Sequence, residues 1–314
     1  MKNVFWIHSN ITFLLSNLII KNLNIDSNKC VFILFRGYIL PNNIYKIKEI
    51  RIEDNIMTNE FNYEEFYNKW LNILNFEYKL FIPQSKEKRI LALISSGNCK
   101  EYNYIEEGLL AYNFSSSIFK IKFYSLLRCL KLRKKLQWLD FKHKKFKSCY
   151  TISDKAFLNS PSTIILPIKP DEIKCNYIIE KKSVIIILDG LVSFNKISLD
   201  ESISLLKVII EDVKKEDKNK IYFKWHPEHL RLKNIKEKKR ILNIFNNEKE
   251  LEFIEIPQAI ILENVFFTHK NILVYVYLSS LGFYASMTGQ VVKSLSSRID
   301  LKLDKKITEK WIQI

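Results

Sequence analysis

The hydrophobic positions of this chain fall into short uninterrupted runs that alternate with longer amphipathic stretches. Residues 4–8, 30–35 (CVFILF) and 183–188 (SVIIIL) are almost entirely apolar. Runs of this length without period-two alternation are typical of strands buried on both faces. Residues 61–74 and 199–215 instead repeat apolar side chains at helical spacing, which predicts helices with one buried face. Strands that alternate with helices predict parallel α/β sheets.

The same pattern extends along the rest of the chain and restarts once. Further strands are predicted at residues 79–82, 89–95, 102–105, 221–224, 251–256 and 272–278, and further helices at 10–20, 119–135, 230–247, 259–267 and 280–287. Pro161 and Pro167 lie in residues 160–169, which are therefore predicted to cross between two domains. We expect one Rossmann-like domain over 1–160 and a second over 161–304.

Composition narrows the choice of partners. The 314 residues carry a formal net charge of +16 and a pI of about 9.4, which favours anionic partners such as nucleotides, acidic sugars, lipid head groups or nucleic acid. Lys, Asn and Ile are abundant together, as in proteins from AT-rich genomes, so part of this basicity reflects composition alone. With only 6 Gly and 7 Pro, the chain is expected to have short loops.

The cysteines and the apolar runs indicate in which cellular compartment the protein is expected. Five cysteines lie far apart with no C-x-x-C pair, which predicts neither a zinc site nor a redox pair but free thiols in a reducing cytoplasm. No window of about 18 uninterrupted apolar residues occurs, so no transmembrane helix is predicted. The apolar start of the chain is interrupted by His8, Ser9 and Asn10, so strand, turn and helix are expected there instead of a signal peptide.

One strand end carries an unusual pair of side chains. The run IYFKWHPEHL begins with strand-forming residues, and Pro227 lacks the N–H that a central strand needs, so the strand should end before it. Lys224 and His226 then lie at its carboxyl end, where open α/β sheets bind ligands. A cation beside a titratable ring suits a phosphate leaving group, because one neutralises charge and the other can donate a proton.

Two further strand ends carry carboxylates next to glycine. Glu106 and Glu107 precede Gly108, and a glycine lets the backbone turn sharply and aim a carboxylate at a cleft. Asp189 and Gly190 follow the strand at 183–188 and are predicted to touch substrate. The alternative for each pair is an ordinary polar turn.

Two sites on predicted helices complete the set. Glu263 is a carboxylate in an otherwise apolar helix and could accept hydrogen bonds from both hydroxyls of a ribose. Ser279 and Ser280 begin the next helix, where hydroxyls and backbone N–H groups form a phosphate site. The alternatives are an exposed helix position for Glu263 and an ordinary N-cap for the serines.

In this order, the motifs resemble those of the bacterial sialyltransferases of the GT-B fold, including the polysialyltransferase branch. Those families carry a D/E-D/E-G motif in the first domain, then a His-Pro motif, a ribose-binding Glu and a Ser-Ser/Thr pair in the second. Here the motifs are Glu106-Glu107-Gly108, His226-Pro227, Glu263 and Ser279-Ser280. The resemblance covers mainly residues 183–287, and Trp225 stands where some relatives have a small residue.

The resemblance implies a GT-B fold with two Rossmann-like domains facing a central cleft, and it implies that residues 305–314 pack back on the first domain. It also implies inverting transfer of sialic acid from CMP-sialic acid to a sugar hydroxyl of a bacterial surface glycan, either lipooligosaccharide or capsule. Glu107 is the first choice for the general base and Glu106 the second, and His226 is the general acid. The donor would be bound by Lys224, Pro227, Glu263, Ser279, Ser280, Asp189 and Gly190. No Asp-x-Asp triplet occurs, so neither metal nor cofactor is predicted.

Two rival functions stay open at this point. A sister enzyme would use another CMP-activated acidic sugar, such as Kdo or a related nonulosonate, with the same catalytic residues. A basic nucleic-acid-binding protein is disfavoured, because no RNP-type motif or zinc finger occurs. Residues 126–147 are basic and amphipathic, which predicts peripheral contact with anionic lipid at the inner membrane surface or, alternatively, a solvated helix face.

Overall fold

The structure is a computed structural model that describes residues 1–35, 38–40, 46–52, 63–83, 88–112, 141, 143–168, 175, 177–181, 183–216, 218–230 and 234–298. The chain divides into two compact units, Met1–Ile168 and Lys169–Ile314. The predicted helix at 119–135, residues 126–140 and 142 of the basic segment 126–147, and the C-terminal segment 305–314 lie outside the described residues.

The first unit is built on a parallel sheet. Its described strands are β1 (Lys2–Ile7), β2 (Cys30–Leu34), β3 (Lys48–Arg51), β4 (Tyr78–Pro83), β5 (Cys99–Ile105), β6 (Phe146–Thr151) and β7 (Thr163–Ile165), and its described helices are α1 (Asn10–Asn22), α2 (Tyr63–Ile73) and α3 (Lys88–Ser95). The strand order is β3-β2-β1-β4-β5-β6-β7, with every pairing parallel. The order reverses between β1 and β4, as in doubly wound sheets.

The second unit repeats this plan with a smaller sheet. Its described strands are β8 (Val184–Leu188), β9 (Lys220–Trp225), β10 (Glu252–Glu255), β11 (Leu273–Val276) and β12 (Val291–Ser294), and its described helices are α4 (Leu199–Lys215), α5 (Ile235–Asn247), α6 (Leu262–Thr268) and α7 (Ser280–Met287). The order is β10-β9-β8-β11-β12, again wholly parallel. The predicted α/β class with two Rossmann-like units is confirmed.

Local sequence accounts for the helices that follow the first strand of each unit. Ser9 caps α1 in a capping box with Thr12, and Ser198 caps α4 in a capping box with Glu201. In a capping box two backbone N–H groups that the helix leaves unpaired are satisfied reciprocally. The strands beside these helices are buried: all five residues of β2 and of β8 are inaccessible.

The second sheet is covered on both faces, as parallel sheets require. One face packs residues such as Ile186 and Phe223 against Leu206 of α4. The other face packs Ile187 and Val274 against Val265 of α6. Because the body of the sheet is closed on both faces, functional side chains must lie where its strands end.

The structure corrects one predicted strand. Residues 89–95 form the helix α3, in which Ile90, Leu93 and Ile94 are fully or almost fully buried. A short apolar run is compatible with a buried strand or a buried helix, and Ala92 and two leucines favour the helix.

Four described strands were not predicted. β3, β7 and β12 are edge or near-edge strands with exposed residues and so lack a long apolar run. β6 lies in a stretch that reads as a continuation of the basic helix. Because β7 pairs with β6, the first unit continues to Ile168. The predicted boundary after residue 160 therefore falls too early.

Among the helices of the described residues, none is both long and apolar enough to cross a membrane.

Candidate functional site

Three strand ends meet at the point where the order of the second sheet reverses. β8 lies between β9 and β11, and Leu188 at its end is paired with Trp225. The N–H of His226 donates to the Leu188 carbonyl at 3.0 Å, which fixes the residue after β9 beside the end of β8. Asp189 follows β8 and Tyr277 follows β11. In doubly wound sheets this crevice outside the carboxyl ends is where ligands bind.

The His226 ring lies directly over Gly190. A β-carbon added at residue 190 would be 2.7 Å from Nδ1 of His226, closer than side chains tolerate. The absence of a side chain at Gly190 therefore permits the observed ring position. The Glu228 N–H donates to Nδ1 at 3.1 Å, so the neutral ring carries its proton on Nε2. The exposed Phe194 ring stands edge-on to the imidazole, with centroids 5.6 Å apart.

Asp189 joins β8 to the segment after β11. Its buried carboxylate accepts from the N–H groups of Tyr277 (3.0 Å) and Leu278 (2.6 Å). Burial raises the pKa of Asp189 to about 6, while the hydrogen bonds from Leu278, Tyr277 and Ser279 oppose that rise. Asp189 thus acts as an internal anion that positions the residues leading into α7.

Ser279 and Ser280 lie at the start of α7. Ser279 is its N-cap, and the Ser279 hydroxyl accepts from the Leu281 N–H at 3.2 Å. Ser280 is the first helical residue, and both serines are partly exposed. The structure therefore has the predicted N-cap, and whether these serines bind phosphate stays a prediction.

Lys224 and Glu263 are both buried, on the face of the sheet that α6 covers. The Lys224 ammonium donates to the carbonyls of Pro257 (2.5 Å) and Ile260 (3.0 Å), so it holds the loop after β10. Burial lowers the pKa of Lys224 to about 8. Burial also raises the pKa of Glu263 to about 7, against a hydrogen bond from its own N–H and the charge of Lys224. Glu263 Oε2 has no hydrogen-bond partner among the described residues.

In the first unit, Glu106 is a fully buried anchor. One carboxylate oxygen accepts from the Tyr112 hydroxyl at 2.6 Å, and the other accepts from the Thr151 hydroxyl (2.5 Å) and the Ile152 N–H (3.0 Å). These bonds tie the end of β5 to the end of β6. The arrangement gives Glu106 a structural role, and its candidacy as base stays an untested second choice.

Glu107 faces a different partner. Its Oε1 makes a short contact with Nε2 of His8, the residue that follows β1. The His8 side chain is 3% exposed and that of Glu107 is 18% exposed. Gly108 follows with a positive φ of 49° and begins a 3-10 turn, Gly108–Tyr112. The predicted sharp turn is thus present, and Glu107 is the partly exposed member of the acidic pair.

The structure brings some predicted residues together and leaves others apart. At the carboxyl ends of the central strands, His226 contacts Gly190, and Asp189 lies beside Ser279. Lys224 instead contacts the loop after β10. Pro227 is exposed and begins the 3-10 turn Pro227–Leu230. Glu106 and Glu107 belong to the other unit.

Sequence reasoning missed two histidine contacts. His8 contacts Glu107, and its place at the end of β1 was the signal that could have indicated this. His229 lies buried with its Nε2 3.1 Å from Glu237 Oε1, off the angle of a hydrogen bond. No sequence spacing signalled that second pair, because Glu237 comes from α5.

Comparison with known proteins gives a limited result. No family model matches the sequence, and no curated protein matches it. A glycosyltransferase from Rickettsia africae is 9% identical, with 93% of this chain and 78% of that chain covered and a TM-score of 0.46. HepE of Anabaena in complex with UDP is 11% identical, with 93% and 80% covered and a TM-score of 0.45.

A third solved structure is the GT-B domain of a sialyltransferase from Photobacterium damselae. It is 12% identical, with 90% of this chain and 88% of that chain covered and a TM-score of 0.46. Likenesses at this level carry no weight for the activity or the site residues of this chain.

Across the described parts of the chain, no group of three or more His, Cys, Asp or Glu side chains is placed to hold a metal ion.

Proposed function

We propose that this protein is an inverting glycosyltransferase that moves sialic acid from CMP-sialic acid to a sugar hydroxyl. The order of the four sequence motifs supports the donor class. The observation that carries the proposal is the position of His226 over Gly190, at the switch point of a doubly wound sheet. Nucleotides bind at this point of doubly wound sheets, and a histidine there could donate a proton to the phosphate that leaves.

The second unit would hold the donor. The Nε2–H of His226 would donate to the phosphate of the departing CMP, since Nδ1 already accepts from Glu228. Ser279 and Ser280 would contribute hydroxyls and helix-start N–H groups to the same phosphate. Glu263, with one buried oxygen lacking a partner among the described residues, would accept from the ribose hydroxyls. Lys224 would act indirectly, by holding the loop before α6.

The first unit would supply the base. Glu107 would take the proton of the acceptor hydroxyl while the oxygen of that hydroxyl bonds to the anomeric carbon of sialic acid. The bond between that carbon and the phosphate oxygen breaks, and His226 protonates the phosphate. Attack opposite the leaving group inverts the anomeric carbon. General acid and base groups of this kind are typically worth about 10²- to 10⁴-fold each in rate.

The biological setting follows from the donor class. The acceptor would be a glycan of a bacterial surface polymer, lipooligosaccharide or capsule, built on the cytoplasmic side of the membrane where CMP-sugars are used. Transfer of Kdo or a related nonulosonate is the second candidate, since the same residues would serve either acidic sugar.

The experiment has two steps. Thermal melting with CMP, and separately with single-stranded RNA, tests the ligand class; we expect CMP to raise the melting temperature and RNA to leave it unchanged. Incubation with CMP-sialic acid or CMP-Kdo and a panel of galactosides and sialosides then tests transfer. Product from CMP-sialic acid supports the proposal, product from CMP-Kdo alone selects the second candidate, and stabilisation by RNA without CMP binding or transfer would refute both.

A further inference from the structure

We infer that His8 is a positioning residue that orients Glu107 for proton abstraction, an inference that rests on the proposed function. The two residues are 99 positions apart in sequence and meet because β1 and β5 lie on either side of β4. The contact joins Nε2 of the ring to Oε1 of the carboxylate. It therefore leaves the other carboxylate oxygen, Oε2, as the atom to receive the acceptor's proton.

The surroundings of His8 fix which ring nitrogen carries the proton. Nδ1 is buried and has no hydrogen-bond partner among the described residues. A buried N–H without an acceptor is costly, whereas an ionised carboxylate next to Nε2 needs a donor. The neutral ring therefore carries its hydrogen on Nε2 and donates it to Glu107. A hydrogen bond from a donor to a charged acceptor is stronger than one between neutral groups.

The backbone around His8 is also held in place. Its N–H donates to the Thr12 hydroxyl at 3.3 Å, and Thr12 belongs to the capping box that begins α1. His8 is thus fixed between the end of β1 and the start of α1, with 3% of its side chain exposed. A ring held this firmly can keep a carboxylate in one rotamer, which is what proton transfer over a short distance requires.

The contrast with Glu106 supports the assignment. Both carboxylate oxygens of Glu106 accept hydrogen bonds, from Tyr112, Thr151 and Ile152, so its bonding serves the junction of β5 with β6. Glu107 contacts His8 through Oε1, and 18% of its side chain is exposed. Of the two neighbours, Glu107 has the arrangement of an oriented base.

A double-mutant cycle with matched variants tests this. His8→Gln keeps a donor near the position of Nε2, whereas His8→Phe keeps the ring volume and loses the donor. We expect His8→Phe to lower kcat for transfer about 10- to 100-fold with unchanged KM for the CMP-sugar, because one hydrogen bond to a charged group is lost. His8→Gln should recover most of that loss. In the Glu107→Gln background, His8→Phe should change kcat by less than about 3-fold.

The outcomes separate this inference from the proposed function. Normal transfer by His8→Phe, with Glu107→Gln impaired, overturns the role of His8 and leaves the base in place. An equal loss from His8→Phe in both backgrounds means a structural effect and also overturns it. Normal transfer by Glu107→Gln overturns both the base and its positioning. Melting temperatures of all variants are measured alongside, with His269→Gln as a control histidine in the other unit.

Discussion

At the scale of single residues, neighbours in the sequence have different environments. Glu106 and Glu107 are adjacent at a strand end, where successive side chains point to opposite faces. Glu106 is buried among Tyr112, Thr151 and Ile152, and Glu107 contacts His8. The same alternation explains why Glu106 is fully buried while Glu107 stays partly exposed.

Gly190 gives the first prediction at this scale. Gly190→Ala should displace the His226 ring, because the new β-carbon would lie 2.7 Å from Nδ1. We expect a loss of about 1–3 kcal/mol in the free energy of unfolding, as for other overpacked sites. We also expect transfer to fall by at least about 10-fold, since a misplaced catalytic group costs rate steeply. Urea unfolding and initial transfer rates measure the two effects.

Gly97 supplies the matched control for this experiment. No atom lies within 4 Å of a β-carbon added there, so Gly97→Ala should fold and transfer sugar like the parent protein. If Gly190→Ala matched the parent in both measurements, the close approach of His226 to Gly190 would not matter to function.

At the scale of elements, the sequence predicts the interior of each sheet better than its margins. The buried strands β1, β2 and β8 and the helix α4 follow their apolar patterns closely, and α4 begins and ends where predicted. β3, β7 and β12 escaped prediction because their exposed residues do not need to be apolar. The prediction of a strand at 89–95, where α3 lies, was wrong because burial on all sides removes the periodicity that separates helix from strand.

In the candidate site, too, some features follow from local sequence and others depend on the tertiary structure. His226, Pro227, Ser279 and Asp189 were predicted because strand ends and caps leave local signals. The contact of His8 with Glu107 depends on strand order, and the burial of Lys224 depends on the loop at 257–260. Neither can be read from neighbouring residues, so sequence reasoning could not find them.

Glu263, in the first turn of α6, gives a prediction about pH. Its pKa in the folded protein is about 7, above the ordinary value of 4.5. Between these values the folded state binds more protons than the unfolded state, so stability falls as pH rises through that window. Ionisation of buried Glu263 lowers the free energy of unfolding by at most about 3 kcal/mol. Glu263→Gln removes this titration, so the variant should gain stability relative to the parent between pH 4.5 and 7.

Lys224 gives a second prediction, for the change of stability with pH above pH 8. Its folded pKa of about 8 lies below the ordinary 10.5, so the folded state binds fewer protons there and stability rises from pH 8 upward. Urea unfolding at pH 5, 7.5 and 9.5 measures both effects. Glu250→Gln, which changes an exposed carboxylate of the same unit, should parallel the parent at every pH. A Glu263→Gln curve that also parallels the parent would contradict the burial argument.

At the scale of the whole molecule, the two units have the same plan and different chemistry. Each is a doubly wound parallel sheet whose strand order reverses once. The second unit has a histidine and a serine N-cap at its switch point, and both can donate hydrogen bonds to an anion. The first unit has a partly exposed carboxylate in contact with a histidine, which under our proposal would receive a hydroxyl proton. The net charge of +16 agrees with an anionic donor.

We propose that Glu107 acts on the acceptor and not on the nucleotide. The most direct test measures sugar transfer from CMP-sialic acid and CMP affinity on the same Glu107→Gln protein. We expect a transfer rate about 10²- to 10⁴-fold below that of the parent with unchanged CMP affinity. Glu101→Gln, a change on the same strand at a partly exposed ion pair with Lys79, should leave both values unchanged. A Glu107→Gln protein that transfers sugar at nearly the parent rate would contradict the account.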